Sequence, residues 1–262
     1  MELETARLIR KENFSPEIFV FDLASKAVAR KAQPGQFVQI RVNSSFDPFL
    51  RRPFSVASVS SDTFRIVFRI RGKGTKILSQ LNEGDDVEVL GPLGNPFPLF
   101  DERDIIMVGG GVGIAPLFFL AQKLAPKNRL QFFFGARNRT ELIMLKDFKK
   151  LTKNIAIATE DGSFGKKGKV TDLFSPKLQP PGLLAMEEPS TLVKPLIFAC
   201  GPLPMLKVLQ SSFVSIPVYG FLEERLGCGT GLCFGCAVKK KTGGYLRLCK
   251  EGPVVNLNEI EL

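Results

Sequence analysis

Four of the five cysteines in this chain of 262 residues lie close together toward its C-terminal end. Their spacing is C-x4-C-x2-C-x12-C, formed by Cys228, Cys233, Cys236 and Cys249. Residues 223–262 are glycine-rich and too few to bury a hydrophobic core of their own. A bound metal centre would supply the missing stability, because metal binding and folding are coupled in such small units. The run therefore predicts a small metal-stabilised domain in this part of the chain.

The cysteine spacing also distinguishes between kinds of metal centre. The order C-x4-C-x2-C with a distant fourth cysteine is typical of plant-type 2Fe-2S clusters. Glycines at 227, 229, 231 and 235 leave room for the loop to fold tightly and to point N–H groups at the sulfurs. A zinc site usually has two C-x2-C pairs, whereas this chain has one. We expect a 2Fe-2S cluster on the four cysteines, with a zinc site, or buried or disulfide-bonded cysteines, as the alternatives.

The chain contains no histidine. This excludes Ser-His-Asp and Cys-His catalysis, histidine-ligated zinc or haem, and Rieske-type clusters. Any metal must therefore be held by cysteine, aspartate or glutamate.

The formal net charge is +10, yet the basic residues form only short, dispersed runs. We expect a scattered cationic surface and no nucleic-acid partner. The segment 1–12 is charged and has no apolar core of a signal peptide, which favours a cytoplasmic protein. The uncharged stretch 105–122 contains four glycines and Pro116, so we interpret it as a buried strand, a turn and a helix and expect no membrane span.

The pattern of the chain divides it into three predicted domains, at residues 1–98, 99–222 and 223–262. Short strands separated by turn residues fill the first part and favour an antiparallel β-barrel. Strands are predicted at 19–23, 35–42, 64–70 and 87–90, and a helix at 75–81. Alternating strands and helices in the second part predict an α/β domain with a doubly wound parallel sheet. Its strands are predicted at 104–108, 130–134, 154–159 and 195–199, its helices at 115–124, 140–151 and 204–211, and an irregular proline-rich connection at 175–195.

Two segments of the second domain have the character of a dinucleotide site. Gly109, Gly110, Gly111 and Gly113 lie between a predicted strand and a predicted helix, where glycine allows a pyrophosphate close to the backbone. A tight strand–helix turn is the alternative. The second segment, which follows another strand, consists of Cys200, Gly201 and Pro202. Cys200 is either a small buried residue or a neighbour of a nicotinamide ring.

Two segments of the first domain fit a flavin. The arginine of Arg52-Pro53-Phe54-Ser55 can pair with a diphosphate, its aromatic ring can pack on a ring system, and its hydroxyl can reach the flavin edge. Gly74 and Thr75 can offer N–H and hydroxyl groups to the same diphosphate. A turn and an ordinary strand arginine fit these residues equally well. The candidate flavin-binding residues are Arg52, Pro53, Phe54, Ser55, Phe68, Arg69, Ile70, Gly74 and Thr75.

Taken together, these motifs resemble the ferredoxin–NADP reductase superfamily. Residues 52–55 resemble its R-x-Y-S flavin motif with Phe54 in the tyrosine position, residues 72–75 its flavin pyrophosphate motif, and residues 200–202 its C-G-P motif. The cysteine run, with the segment 222–236 and the segment 248–253, is similar to the electron-transfer subunits of dihydroorotate dehydrogenase B. The resemblance implies FAD in the barrel, NAD(H) in the second domain and a 2Fe-2S cluster in the third.

The resemblance also implies a function. Electrons would pass from NADH through FAD and the cluster to the FMN of a separate dihydroorotate dehydrogenase catalytic subunit, in a heterotetramer of pyrimidine biosynthesis. Hydride transfer needs no acid–base residue, so we expect no catalytic side chain. Three alternatives stay open: another partner such as a sulfide dehydrogenase or transhydrogenase, a diffusible acceptor, or a zinc-stabilised basic binding module. Arg137 and Arg139 would suit a 2′-phosphate and Glu141 a free ribose; the resemblance favours NAD.

Overall fold

A computed structural model of the chain describes residues 1–174 and 195–262. The described residues pack into two compact units. Unit one comprises Met1–Phe97 and Leu222–Val254, and unit two comprises Pro98–Phe221 and Val255–Leu262. The cysteine-rich segment thus packs with the first part of the chain, and the division into three domains at 98 and 222 stays a prediction. The proline-rich connection predicted at 175–195 lies, but for its last residue, outside the described part.

The described residues form mainly strands in the first part of the chain and both strands and helices in the second. The strands are β1 Glu2–Ser15, β2 Ile18–Ala24, β3 Phe37–Arg41, β4 Arg52–Ser55, β5 Ser58–Val59, β6 Thr63–Arg69, β7 Asp86–Leu93, β8 Asp104–Gly110, β9 Arg129–Ala136, β10 Ile155–Thr159, β11 Lys166–Lys167, β12 Leu196–Cys200, β13 Val218–Phe221, β14 Ala237–Lys239, β15 Tyr245–Arg247 and β16 Val254–Asn256. The helices are α1 Lys26–Lys31, α2 Lys73–Ser79, α3 Ile114–Leu124, α4 Leu145–Leu151 and α5 Leu203–Ser212, with 3-10 turns at Gly111–Gly113, Arg139–Glu141, Val170–Leu173 and Leu257–Glu259. Among these helices none is long and apolar enough to cross a membrane.

Unit one is built on an antiparallel sheet in the order β4-β3-β7-β1-β2-β6-β5. The two ends of this sheet are joined by the segment that follows β4. Val56 N donates to Gln36 O at 3.1 Å, and the next residue, Ala57, donates its N–H to Arg65 O at 2.8 Å. One continuous stretch therefore bonds first to the residue before β3 and then to β6, which closes the sheet into the barrel that the sequence predicts.

Phenylalanines fill the interior of this barrel. The Phe68 ring lies 5.1 Å from Phe21, 5.6 Å from Phe19 and 5.5 Å from Phe54, measured between ring centroids. Each such side chain contributes about 1.5–3 kcal/mol when it is fully buried. These four phenylalanines are thus core residues of the barrel.

Unit two contains a sheet in the order β11-β10-β9-β8-β12-β13-β16, in which all neighbours from β11 to β13 are parallel. Side chains from β9 show that both faces are covered. The Phe132 ring packs against Phe148 of α4 at 4.1 Å, whereas the ring of its neighbour Phe133 packs against Phe174 at 4.8 Å. Successive residues of a strand point to opposite faces, so these contacts lie on opposite sides of the sheet. This is the predicted doubly wound arrangement.

The order of the parallel strands defines where a ligand would bind. Strands β9 and β10 follow β8 on one side, whereas β12 and β13 lie on its other side. The chain therefore changes winding direction between β8 and β12. In open α/β sheets this switch point, at the carboxyl ends of the strands, is where ligands bind.

The prediction of one helix over 140–151 is wrong in its first half. The structure has a 3-10 turn at Arg139–Glu141 and begins α4 only at Leu145. Met144 separates them, because its φ of 56° lies in the left-handed region, which a continuous helix does not use. The other predicted helices and strands correspond to structural elements with shifted ends, while α1 and the strands β1, β4, β5, β11, β13, β14, β15 and β16 were not predicted.

Candidate functional site

The first cysteines of the C-terminal run form a loop whose N–H groups surround sulfur atoms. Cys228 Sγ accepts hydrogen bonds from the backbone N–H groups of Thr230, Leu232 and Cys233 at 3.4, 3.3 and 3.4 Å. Cys233 Sγ in turn accepts from Cys228 N at 3.4 Å and Gly235 N at 3.5 Å. Such N–H groups stabilise negative charge on sulfur, as cluster-bound thiolates require.

The other two cysteines form a second pair. Cys236 Sγ and Cys249 Sγ are 3.3 Å apart, and Cys249 N donates to Cys236 Sγ at 3.4 Å. Both residues are buried, whereas Cys233 is exposed. None of the five cysteines, all of which lie in the described residues, forms a disulfide, so the disulfide alternative does not describe this structure. The four predicted ligands thus lie in two pairs, one within the loop and one that joins the loop to Cys249, two residues beyond the end of β15.

One cysteine of each pair, Cys228 and Cys249, has a thiol pKa shifted from its ordinary value, and the two shifts have opposite directions. Burial alone would raise the pKa of Cys228, but hydrogen bonds from Thr230 and Cys233 outweigh it and lower the pKa to about 5. Burial raises the pKa of Cys249 to about 12, together with the hydrogen bond and the charge of Cys236. Cys249 therefore does not ionise by itself near neutral pH, and a bound cation would be needed to hold it as a thiolate.

The donor set suits a binuclear cluster better than a single ion. No group of three or more cysteine or carboxylate ligands is arranged around one point in the described residues. A tetrahedral zinc site needs four ligands around one ion, whereas a 2Fe-2S cluster needs two thiolates on each of two irons. Two cysteine pairs with sulfur-directed N–H groups fit the second requirement.

Two side chains that flank Cys249 brace the cysteine loop, and the sequence did not single them out. Arg247 Nη1 donates to Gly231 O at 2.9 Å, and its Nε lies 3.2 Å from Glu251 Oε1. The hydrogen bond from Arg247 lowers the pKa of Glu251, and the same bond raises the pKa of Arg247. The Arg247 guanidinium also lies 4.9 Å from the centroid of the Phe234 ring. Arg247 of β15 therefore contacts the cysteine loop at two places, Gly231 and Phe234.

The cysteine loop, residues 227–236, lies against the barrel beside β4, the strand that carries the flavin motif Arg52–Ser55. Gln39 of β3 is 1% exposed and is the Cα partner of Pro53 in β4. Its Nε2 lies 3.5 Å from Gly227 O, at the start of the cysteine loop. A Cβ on Gly229 would lie 2.7 Å from the Gln39 side chain, so glycine permits this close approach. Strand β3 thus contacts both β4, which carries the flavin motif, and the cysteine loop.

The two glycine-containing segments of unit two meet at the switch point. Gly109 at the end of β8 is the Cα partner of Cys200 at the end of β12. A Cβ on Gly113 would lie 2.5 Å from Cys200 O and 2.9 Å from Gly201 N, so no larger residue fits there. A Cβ on Gly110 would likewise lie 2.8 Å from Pro202 Cδ. The structure therefore brings together both predicted dinucleotide segments, and Cys200 itself is buried.

The flavin candidates in unit one are also brought together in part. A Cβ on Gly74 would lie 2.7 Å from Arg52 Nε, so the guanidinium lies directly against the start of α2. Arg52 Nη1 donates to Leu50 O and, at 3.4 Å, to Arg51 O. Its Nε and Nη2 have no hydrogen-bond partner within the described ranges and can serve a diphosphate.

The remaining flavin candidates differ in burial and in the contacts that they make within the protein. The Thr75 hydroxyl accepts from Arg71 N at 2.8 Å and donates to Gly72 O at 3.1 Å, so it stabilises the turn before α2. Phe54 and Phe68 pack against each other in the barrel core and are 7% and 4% exposed. Arg69 Nη1 bonds Glu17 Oε2 at 2.9 Å. Pro53, Ser55 and Ile70 are half-buried.

The residues that bear on NAD or NADP lie at the end of β9. Arg137 and Arg139 are exposed, and Arg137 Nη1 is 3.9 Å from Oε1 of the buried Glu141. Arg139 lies over the Phe164 ring, 5.5 Å from its centroid. Basic and acidic side chains are therefore both present at the position where this fold recognises the ribose 2′ group of a dinucleotide.

Comparison with known proteins agrees with this order of elements. Residues 5–97 match the family "Oxidoreductase FAD-binding domain", residues 107–211 match "Oxidoreductase NAD-binding domain", and residues 223–261 match "Iron-sulfur cluster binding domain of dihydroorotate dehydrogenase B". A solved structure of a ferredoxin NADP+ reductase from Neisseria gonorrhoeae, with bound FAD and NADP, has a TM-score of 0.65 at 18% identity. It covers 82% of this chain and 92% of its own, which supports the fold alone.

More similar relatives span the whole chain. In a structure of an NADH-dependent reduced ferredoxin–NADP oxidoreductase, solved for insight into flavin-based electron bifurcation, one chain has a TM-score of 0.85 and 31% identity and covers 98% of this chain and 89% of its own. The dihydroorotate dehydrogenase B (NAD(+)) electron transfer subunit of Geobacillus kaustophilus is 36% identical over 271 residues, 100% of this chain and 98% of its own. That of Desulforamulus reducens is 37% identical over 258 residues, 95% and 94% of the two chains. With three matched domains and this identity over its full length, the chain belongs to the family of dihydroorotate dehydrogenase B electron transfer subunits.

Proposed function

We propose that this chain is the electron transfer subunit of an NAD-dependent dihydroorotate dehydrogenase complex, in which it passes electrons between NAD(H) and a catalytic partner. The observation that carries the proposal is the arrangement of four cysteines in two pairs, in a segment that contacts barrel strand β3 next to the flavin motif. An FAD-binding domain, an NAD-binding domain and an iron–sulfur domain in one chain supply the cofactors for this reaction. When bound, FAD and a 2Fe-2S cluster together exchange a two-electron hydride for single electrons.

The chain's own residues bind and position these groups. Cys228, Cys233, Cys236 and Cys249 hold the cluster, and the N–H groups around the first two sulfurs tune its potential. Gly109–Gly113 and Cys200–Pro202 hold the dinucleotide at the switch point, where glycine lets the pyrophosphate approach the backbone. No side chain of the protein has to accept or donate a proton in hydride transfer.

Arg52 and its neighbour Arg51 provide a matched test of the flavin site. Arg52 lies against Gly74, whereas Arg51 Nη2 is paired with Glu88 Oε1. Because a hydrogen bond to a charged group is worth about 1.5–3 kcal/mol, Arg52→Ala should weaken FAD binding roughly ten- to a hundredfold. Arg51→Ala should change it little. The fluorescence of flavin released on dilution of each purified variant measures this difference. Equal retention of FAD in both variants would show that Arg52 does not hold the diphosphate.

The proposal includes the partner and the location. We propose that the partner is an FMN-containing dihydroorotate dehydrogenase catalytic subunit, that two copies of each subunit form a heterotetramer, and that the complex is cytoplasmic. Free cysteines are in keeping with a reducing compartment. The test is to combine the purified chain with that catalytic subunit and to measure dihydroorotate-dependent reduction of NAD+. We expect activity only from the combination, in a complex of two copies of each chain. No NAD+ reduction in the presence of an active catalytic subunit would contradict the proposed partner.

A second candidate function is the corresponding subunit of another flavin-containing oxidoreductase. The observation that favours it is the 31% identity and TM-score of 0.85 to a chain of the NADH-dependent reduced ferredoxin–NADP oxidoreductase. The two candidates differ in the partner. Affinity purification of the chain from its own cells, followed by mass spectrometry, would recover a dihydroorotate dehydrogenase in the first case and a larger transhydrogenase-type flavoprotein in the second.

A further inference from the structure

The loop between β3 and β4 carries the most exposed aromatic side chains of unit one. Phe46 is 86% exposed and Phe49 is 70% exposed, and the next residue, Leu50, is 49% exposed. The two rings lie nearly parallel, 6.2 Å apart between centroids with 17° between their planes. An apolar pair of this kind on a surface marks a place where something binds.

The loop holds these rings in place through its own hydrogen bonds. Asn43 Nδ2 and Ser45 Oγ donate to Asp47 O at 3.1 and 3.0 Å, and Arg41 Nη2 donates to Ser44 O at 3.3 Å. The exposure of the rings therefore belongs to an organised turn.

The position of the loop relates it to the flavin motif. Asp47 pairs with Lys73, which precedes Gly74 at the start of α2. Arg52 lies against the same glycine. From Arg52, β4 runs toward Ser55, the residue assigned to the flavin edge, so the residues before Arg52 extend in the opposite direction. In FAD the diphosphate separates the flavin from the adenosine. The aromatic loop thus lies on the adenosine side of the diphosphate.

We infer that Phe46 and Phe49 form a stacking surface for a purine ring, the adenine of FAD. This inference rests on the proposed flavin site at Arg52 and adds to it the part that distinguishes FAD from FMN. An aromatic ring stacks on any base through its π face, and such a contact typically changes affinity by roughly ten- to a hundredfold. The exposed rings are then covered by the cofactor itself.

The test compares FAD with FMN, since FMN lacks the adenosine half. The full-length chain, its Phe46→Ala/Phe49→Ala variant and a Phe46→Tyr/Phe49→Tyr variant are stripped of flavin and titrated with each. Alanine should weaken FAD binding roughly ten- to a hundredfold and leave FMN binding unchanged, and tyrosine should restore the preference for FAD. Tyr245→Ala, which removes another exposed aromatic ring of unit one, should bind both flavins as the unaltered chain does.

Three results would overturn the inference. Equal weakening of FAD and FMN would mean that the loop supports the flavin site without contacting adenine. Unchanged binding of FAD, with loss of association with the catalytic subunit, would make the rings a protein-docking surface. If the unaltered chain bound neither flavin, the flavin site itself would be wrong, and the stacking surface with it.

Discussion

Replacement of Cys249 by serine is expected to remove the iron–sulfur cluster and to reduce electron delivery to the partner to background, while NADH still reduces the flavin. Cys249 is buried, and its sulfur lies 3.3 Å from that of Cys236, so no other thiol can take its place in this pair. Serine is a poor ligand in a site whose thiolates are held by sulfur-directed N–H groups. Iron and acid-labile sulfide assays, with stopped-flow reduction of the flavin by NADH, measure the two effects separately.

The fifth cysteine provides the control for this experiment. Cys200 is equally buried but lies in unit two, at the end of β12. Cys200→Ser should therefore retain the full iron content, whatever it does to the reaction with NADH. If Cys249→Ser kept its iron and sulfide, or if Cys200→Ser lost them, the assignment of ligands would be wrong.

Replacement of Gly113 by alanine is expected to raise the NADH concentration needed for flavin reduction by about tenfold or more, because the added methyl group forces the two dinucleotide loops apart. A Cβ at this position would lie 2.5 Å from Cys200 O and 2.7 Å from its carbonyl carbon, and neither backbone atom can swing away. Overpacking of this kind costs about 1–3 kcal/mol. Flavin reduction at increasing NADH concentrations measures the effect.

Gly109→Ala is the matched control, since Gly109 belongs to the same loop. Its Cβ would lie 3.4 Å from Ile114, an ordinary van der Waals contact. We expect a smaller rise in the half-saturating NADH concentration than in Gly113→Ala, because the methyl group at Gly109 faces the dinucleotide segment without forcing the two loops apart. Identical behaviour of the two variants would contradict the view that close approach at Gly113 sets the geometry of the dinucleotide site.

The cysteine run and the glycine loop are readable from the sequence because their chemistry is local. Spacing alone limits which metal Cys228, Cys233 and Cys236 can share, and a strand, a glycine turn and a helix at 104–124 are contiguous. The long strand β1 could not be predicted from the sequence, because its position depends on pairing with distant strands. Only Ala6 and Leu8 are buried in it, while Leu3 and Ile9 are exposed at 57% and 50%, so its alternation is weak. Its place between β7 and β2 comes from pairing across the barrel.

The contacts that surround the cysteine loop could not be predicted either, because they join residues that only folding brings together. Gln39 lies 188 residues from Gly227 in sequence, and nothing near Gln39 indicates that it meets the cysteine loop. Arg247 and Glu251 flank Cys249 symmetrically, but a charged pair at this spacing is common in any exposed turn. Met144, which interrupts the helix expected at 140–151, is a good helix former, so its helix propensity gives no sign of its left-handed conformation.

The structure suggests why flavin and cluster share one unit. Gln39 is paired with Pro53 of the flavin motif and touches the first residues of the cysteine loop. A rigid barrel strand therefore fixes both sites, and fixed geometry favours electron transfer because little reorganisation is needed. The dinucleotide loops belong to the other unit, where the parallel sheet places them at its switch point.

The central claim, a path from NADH through flavin to a 2Fe-2S cluster in this one chain, is tested most directly by anaerobic titration of the purified protein with NADH. The visible spectrum, the EPR signal of the reduced cluster, and iron and sulfide content would be recorded on the same sample. The account predicts flavin and iron–sulfur absorbance, about two irons and two sulfides per chain, and reduction of both centres by NADH. A flavoprotein without iron, or a colourless protein that contains zinc, would contradict it.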